Sequence, residues 1–320
     1  MPRHIPRRVF LGGAASAVSF LNRNATVAAN PVSTPVVTKP SGWIDAHVHV
    51  WTPDLERYPI DTSRYTAKAM KPASFTPQQL MEECQPSGVG RVVLIQMSFY
   101  NTDNSYMLDM IKKHPGIFSG VGIVDHRAAD LVTRIKQLAA AGVRGFRISS
   151  GGKHASEWLS DPGMASLWET AARSGLNVCP LINPAEFSVI NQLCEKYPDT
   201  PVVIDHFGRV GISGEILPGE LDALCRLARH RNVHVKTSAF YALGKKQPPY
   251  KDLLPMLRRV IDAFSPRRLM WASDCPFQVQ GKHSYASSIA LIRDHLMPLS
   301  ETDRNLILHD TAERVFFTTV

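Results

Sequence analysis

From residue 43 onward, short β-branched runs alternate with amphipathic stretches at intervals averaging about 32 residues, the length of one strand–helix–strand unit. The runs fall at 43–50, 92–97, 120–125, 143–148, 176–182, 201–206, 233–238 and 269–274 and are expected as eight strands. The stretches between them open like helices. Thr76-Pro77-Gln78-Gln79 offers a cap, a proline at the first helical position and a glutamine at the third. Ser300 with Asp303 opens a last helix through Leu306, Ile307 and Leu308 that ends near Phe316. Eight such repeats in about 280 residues predict a (β/α)8 TIM barrel, one domain over 43–320. The competing doubly wound sheet carries a Gly-x-Gly-x-x-Gly or phosphate-binding loop after a strand, and none follows any run here.

The net charge of +8 overstates the barrel, because residues 1–29 hold Arg3, Arg7, Arg8 and Arg23 and no acid. That leaves about +4, with no basic run carrying interleaved aromatics, so nucleic acid is excluded as a partner and a small anionic molecule is favoured. The five cysteines, Cys84, Cys179, Cys194, Cys225 and Cys275, form no Cys-x-x-Cys pair and are expected as small buried hydrophobes. Arg7-Arg8 stands before a short apolar run, and Val27-Ala28-Ala29 supplies small residues for cleavage, the layout of a twin-arginine signal peptide over 1–29. The run is too short to span a bilayer, which takes about 20 residues. Residues 30–42, with Pro31, Pro35 and Pro40, read as a linker, so a periplasmic destination is expected.

The chemistry-bearing residues collect where the strands end, the face on which such barrels build their sites. In Trp43-Ile44-Asp45-Ala46-His47-Val48-His49-Val50-Trp51, period-two alternation puts Ile44, Ala46, Val48 and Val50 on one face. Asp45, His47 and His49 fall on the other, the two imidazoles within reach of one cation. His206 ends the sixth strand and Asp274 the eighth, where Met270, small Ala272 and Asp274 share a face. Singly, an aspartate here caps a helix and a histidine satisfies a loop carbonyl. Four together at one mouth point to a site.

Ile44-Asp45-Ala46-His47-Val48-His49, Asp205-His206-Phe207-Gly208 and Ser273-Asp274-Cys275-Pro276-Phe277 resemble the amidohydrolase superfamily, in the branch of pyrone-dicarboxylate lactonase, fuconolactonases and sulfomuconolactone hydrolase. Asp310-Thr311-Ala312-Glu313-Arg314-Val315-Phe316 is similar to that branch's closing motif. The resemblance implies His47 and His49 as metal ligands or carbonyl polarisers and His206 as a contact to substrate or water, with a place in the metal's shell. It implies Asp274 as general base and ligand. One divalent ion, zinc by the donor set, would lower the pKa of bound water toward about 7, and a metal-free centre is the alternative. Asp45 is a candidate partner behind the imidazoles. The chain departs from many metal-binding relatives in the fifth strand, where Cys179-Pro180-Leu181 stands in place of a histidine.

Alternation turns Arg147, Lys236 and Ser238 inward, where a guanidinium and an ammonium either pair with Asp125 or Asp274 or grip a substrate carboxylate. Tyr58, in the long segment 52–75, and Gln96, ending the second strand, are further candidates for touching substrate. His230 and His234 straddle a helix end and a strand and make no metal pair, and His126, His154, His283 and His309 are expected on loops or the surface. These features predict hydrolysis of a lactone or related ester of a small carboxylated molecule. Non-oxidative decarboxylation of an aromatic or unsaturated acid is the alternative, and a barrel that binds without turnover the third reading.

Overall fold

The computed structural model describes residues 42–150 and 155–318. The expected signal peptide, nearly all of the linker and His154 lie outside the described residues. All eight expected strands are present: β1 (Trp43–Val48), β2 (Val89–Ile95), β3 (Phe118–Gly122), β4 (Val143–Ser149), β5 (Asn177–Leu181), β6 (Val202–Ile204), β7 (Val233–Thr237) and β8 (Leu269–Trp271). They pair in parallel in chain order from β1 to β8. The last closes on the first: His49 N–H donates to Cys275 O and Asp274 N–H to His47 O, both at 2.9 Å. A parallel sheet is covered on both faces, which is why β2 and β6 carry continuous Val/Leu/Ile runs.

The expected helix starts form. At α1 (Pro77–Cys84), Thr76 and Gln79 exchange side-chain-to-backbone bonds, and Ser300 Oγ accepts Asp303 N–H at 3.0 Å ahead of the last helical run. One apolar layer lies between sheet and helices, around Trp51, Leu80, Trp168 and Trp271. A second fills the barrel with Ile44, Ala46, Val93, Ile95, Val121, Cys179, Val203, Met270 and Ala272, joined by Ala312 and Phe316. The closing segment crosses the strands' starting ends, where Ser119 Oγ donates to Phe316 O and Asn177 Nδ2 to Val315 O. It thereby plugs that end, and only the opposite mouth is left to build a site. The five cysteines are free and buried, as expected. No helix of the described residues is long and apolar enough to cross a membrane.

Two expectations are corrected. In β1, Asp45 pairs with Val92 but Val48 with Leu94, so three steps on one strand match two on the other. This is a bulge, one inserted residue that resets the alternation. Ile44 and Ala46 therefore point into the barrel, and His47 and His49 follow them inward; Asp45 points outward. Its carboxylate accepts Ser273 N–H at 2.9 Å, His47 N–H at 3.1 Å and the hydroxyl of Tyr285 at 2.6 Å. It clips β1 to the end of β8 and has no bond to an imidazole ring. Burial pushes this carboxyl up to about 6 against those donors. Second, β6 and β8 stop at Ile204 and Trp271, so His206 and Asp274 stand on turns beyond them. The backbone is left-handed at His206 (φ 53°), Phe207 (54°), Gly208 (58°) and Asp274 (67°).

Candidate active site

The bulge and the two turns bring three side chains to one point. His47 Nε2 and His49 Nε2 are 3.3 Å apart, and Asp274 Oδ1 lies 3.5 and 3.3 Å from them. The back of each imidazole is committed. His49 Nδ1 is 2.8 Å from the carbonyl of Ile95, which can only accept, so the Nδ1 proton is spent there and Nε2 presents a lone pair. His47 Nδ1 is 3.2 Å from Asp205 Oδ1 and 3.1 Å from the Lys236 ammonium, which fix the ring from behind. Burial holds His47 well below the ordinary histidine range, with the ammonium of Lys236 adding to the effect. The Asp274 carboxyl is raised by burial, but His206, His49 and His47 more than offset this and keep it ionised.

Two imidazole nitrogens and a carboxylate oxygen this close need a proton or a cation between them. Asp274 Oδ1 is buried and has no well-aligned donor. Zinc–ligand bonds of about 2.0–2.1 Å in a tetrahedron imply ligand–ligand edges of about 3.3–3.4 Å, the spacing found here. The donor set fits a single divalent ion with an open position, held by His47, His49 and Asp274.

His206 lies tilted against His47, ring centroids 4.4 Å apart, with Ser238 Oγ 2.8 Å from its Nδ1. Burial brings its pKa down to about 4, so it is neutral near pH 7. Its Nε2 lies 3.8 Å from Asp274 Oδ2, outside hydrogen-bond range. A cavity of about 340 Å³ opens above this centre, within the range of small-molecule sites. His49, His206 and Asp274 form its floor, with Arg147, Arg209 and Tyr241 around it. A larger groove, about 520 Å³ beside α2 (Ser105–Lys113), includes none of these residues.

Of the residues expected from sequence, the structure thus gathers His47, His49, His206, Asp274 and Arg147. Four others are placed elsewhere. The Lys236 ammonium is fully buried 3.0 Å from Asp205 Oδ1 and does not reach the cavity. Ser238 sits behind His206. Gln96 Nε2 donates to the carbonyls of Asn101 and Asp103, bracing a loop. Tyr58 donates to Asp109 at 2.6 Å and packs on Tyr106, because the segment that carries it folds onto α2. Three residues went unread. Asp205, and not Asp125 or Asp274, is the aspartate that pairs with Lys236 and Arg147, and it is held well below the carboxylate range by them and His47 against its burial. Arg209 follows directly on the Asp205-His206-Phe207-Gly208 motif, which was the available signal. Tyr241, whose hydroxyl donates to Asp274 Oδ2 at 2.7 Å, lies in a turn with no periodicity to mark it.

A closed parallel barrel with imidazoles from its first strand and a carboxylate after its last at one mouth defines a hydrolytic barrel of the metal-centre type. Residues 44–318 match the amidohydrolase family, and the chain belongs to it. It is 28% identical to 2-pyrone-4,6-dicarboxylate hydrolase of Comamonas testosteroni over 300 residues, 90% of this chain and 94% of that protein. It is also 28% identical to L-fucono-1,5-lactonase of Burkholderia ambifaria, over 73% of this chain and 80% of that one. A solved amidohydrolase of Burkholderia multivorans with zinc bound superposes with a TM-score of 0.73 at 21% identity, covering 87% of this chain and 99% of that one.

Proposed function

We propose that this amidohydrolase opens a lactone, or cleaves a related ester, of a small carboxylated molecule by attack of water on the carbonyl. The observation that carries the reading is the convergence of His47 Nε2, His49 Nε2 and Asp274 Oδ1 on one point beneath a cavity edged by two guanidiniums. The names of the relatives, both hydrolases of lactones, support the same bond class. One divalent ion, zinc by the two-nitrogen, one-oxygen donor set, would be held by those three residues; when bound it acidifies water and polarises the carbonyl.

The chain's own groups do the rest. Asp274 takes the proton of the attacking water and returns one to the departing alkoxide. Tyr241 holds Asp274 Oδ2, so Oδ1 keeps its aim at the centre. Neutral His206 offers a hydrogen bond to water or to the substrate carbonyl without adding charge. Arg147 and Arg209 take the substrate carboxylate, the geometry at which a guanidinium fork excels. β5 contributes Leu181 to the cavity wall and no imidazole, which favours hydrolysis over decarboxylation.

A panel of carboxylated lactones, with aromatic acids monitored for carbon dioxide release, tests the reading. Asp274→Asn should lower lactone turnover at least about 10³-fold with an unchanged circular dichroism spectrum, because the proton acceptor is gone. Full activity in that variant, or carbon dioxide release as the only turnover, rejects it.

A further inference from the structure

Lys236 has no part in that chemistry, yet a fully buried ammonium in a barrel core is costly unless something requires it. Its Nζ lies 3.0 Å from Asp205 Oδ1 and 3.1 Å from His47 Nδ1, and 5.3 Å from the centroid of Phe316 beneath. His47, Asp205 and His206 form a second donor set: one ligand atom from each lies within 4.8 Å of the others, and all three residues are buried. His47 belongs to both sets. It presents Nε2 to His49 and Asp274 and Nδ1 to Asp205. The imidazole is therefore a partition between two places where positive charge is wanted, one facing the cavity and one below it.

We infer that Lys236 is a resident cation: its ammonium occupies the lower donor set at His47 Nδ1 and Asp205 Oδ1 and thereby limits the centre to a single metal ion. The charges account for this. Asp205 carries the one full negative charge of the lower set, and Lys236 neutralises it at contact distance, with Arg147 Nε on the other oxygen at 3.6 Å. A divalent ion there would sit against an ammonium with no net anionic charge to hold it. Without the lysine side chain, the Asp205 carboxylate and the imidazoles of His47 and His206, with ligand atoms mutually within 4.8 Å, are donors of the types zinc takes.

Zinc content tests this without reference to turnover, so its failure is separable from failure of the lactonase reading. Untagged wild type, Lys236→Ala and Lys236→Ala/Asp205→Asn are dialysed to equilibrium against zinc, and metal per folded chain is measured by plasma mass spectrometry. Wild type should take up at most one zinc, Lys236→Ala one more than wild type, and the double variant the wild-type number. Lys236→Ala that is soluble only when zinc is present during expression supports the same conclusion. Two zinc ions in wild type overturn it, as does a single variant that gains none or a double variant that keeps the extra ion. Lys236→Ala that is insoluble with and without zinc also counts against it, because the donor set would then have refused a metal in the ammonium's place.

Discussion

Replacing Tyr241 with phenylalanine separates aiming the base from binding the substrate. The hydroxyl donates to Asp274 Oδ2 at 2.7 Å, and burial together with the Asp274 charge raises its pKa, so it stays a donor throughout the working pH range. Without it, His206 Nε2 stands 3.8 Å from Oδ2, too far to take over. A hydrogen bond to a buried carboxylate contributes about 1.5–3 kcal/mol. At about 1.4 kcal/mol per tenfold in rate, its loss predicts a fall in kcat of about 10- to 150-fold. The phenyl ring retains the cavity wall, so KM should stay within about threefold of wild type, the signature of an interaction that acts on the chemical step. Initial-rate kinetics on a carboxylated lactone, with urea unfolding as a control for stability, give both numbers. A kcat within twofold of wild type, or a loss confined to KM, would refute the assignment of Tyr241 as a positioning residue.

Arg147→Met should show the converse pattern, raising KM for a carboxylated lactone about 10- to 100-fold while leaving a neutral lactone nearly unaffected, as steady-state kinetics on the two substrates would show. Gly208→Ala puts a Cβ 2.2 Å from Phe187 Cε1 at a residue with φ +58°, so urea unfolding should show a loss of about 1–3 kcal/mol. Burial brings His234 down from 6.5 to about 4, so the unfolded chain takes up its proton before the native one does. The stability this residue protects is complete above pH 6.5 and is lost as pH falls toward 4, by about 1–3 kcal/mol after allowance for its partial exposure. His234→Gln should flatten the measured fall of unfolding free energy across that window; an unchanged slope would contradict the shift.

Strand count, strand order and the helix starts at Thr76 and Ser300 were legible because they rest on local pattern: β-branched runs, a 32-residue period and capping residues. His47, His49, His206 and Asp274 were legible as motifs. What alternation could not supply was direction. It placed Asp45 with the histidines because the inserted residue of β1 is visible only against Val92 and Leu94 of its neighbour. It carried His206 and Asp274 onto strands because left-handed backbone at a non-glycine residue leaves little trace in composition. It turned Lys236 toward the substrate because inward orientation was read correctly while depth was not: β7 faces the barrel there, but at the level of Asp205, below the cavity floor.

The errors share a cause, and it bears on how the site is assembled. Asp45 and Ser273, 228 residues apart, are joined by a bond from backbone to carboxylate, and His47 and Asp274 by a backbone bond at the same seam. Neither exists until β8 meets β1. The seam that closes the barrel is thus the seam that sets Asp274 Oδ1 against the two imidazoles, and the bulge is what lets one strand serve both purposes: Asp45 turns outward to fasten the closure while His47 and His49 turn inward to form the centre. A strictly alternating strand would have put all three on one side. Closure and site formation therefore rest on the same bonds, and a change that loosens the Asp45 clip should disturb the centre together with the closure.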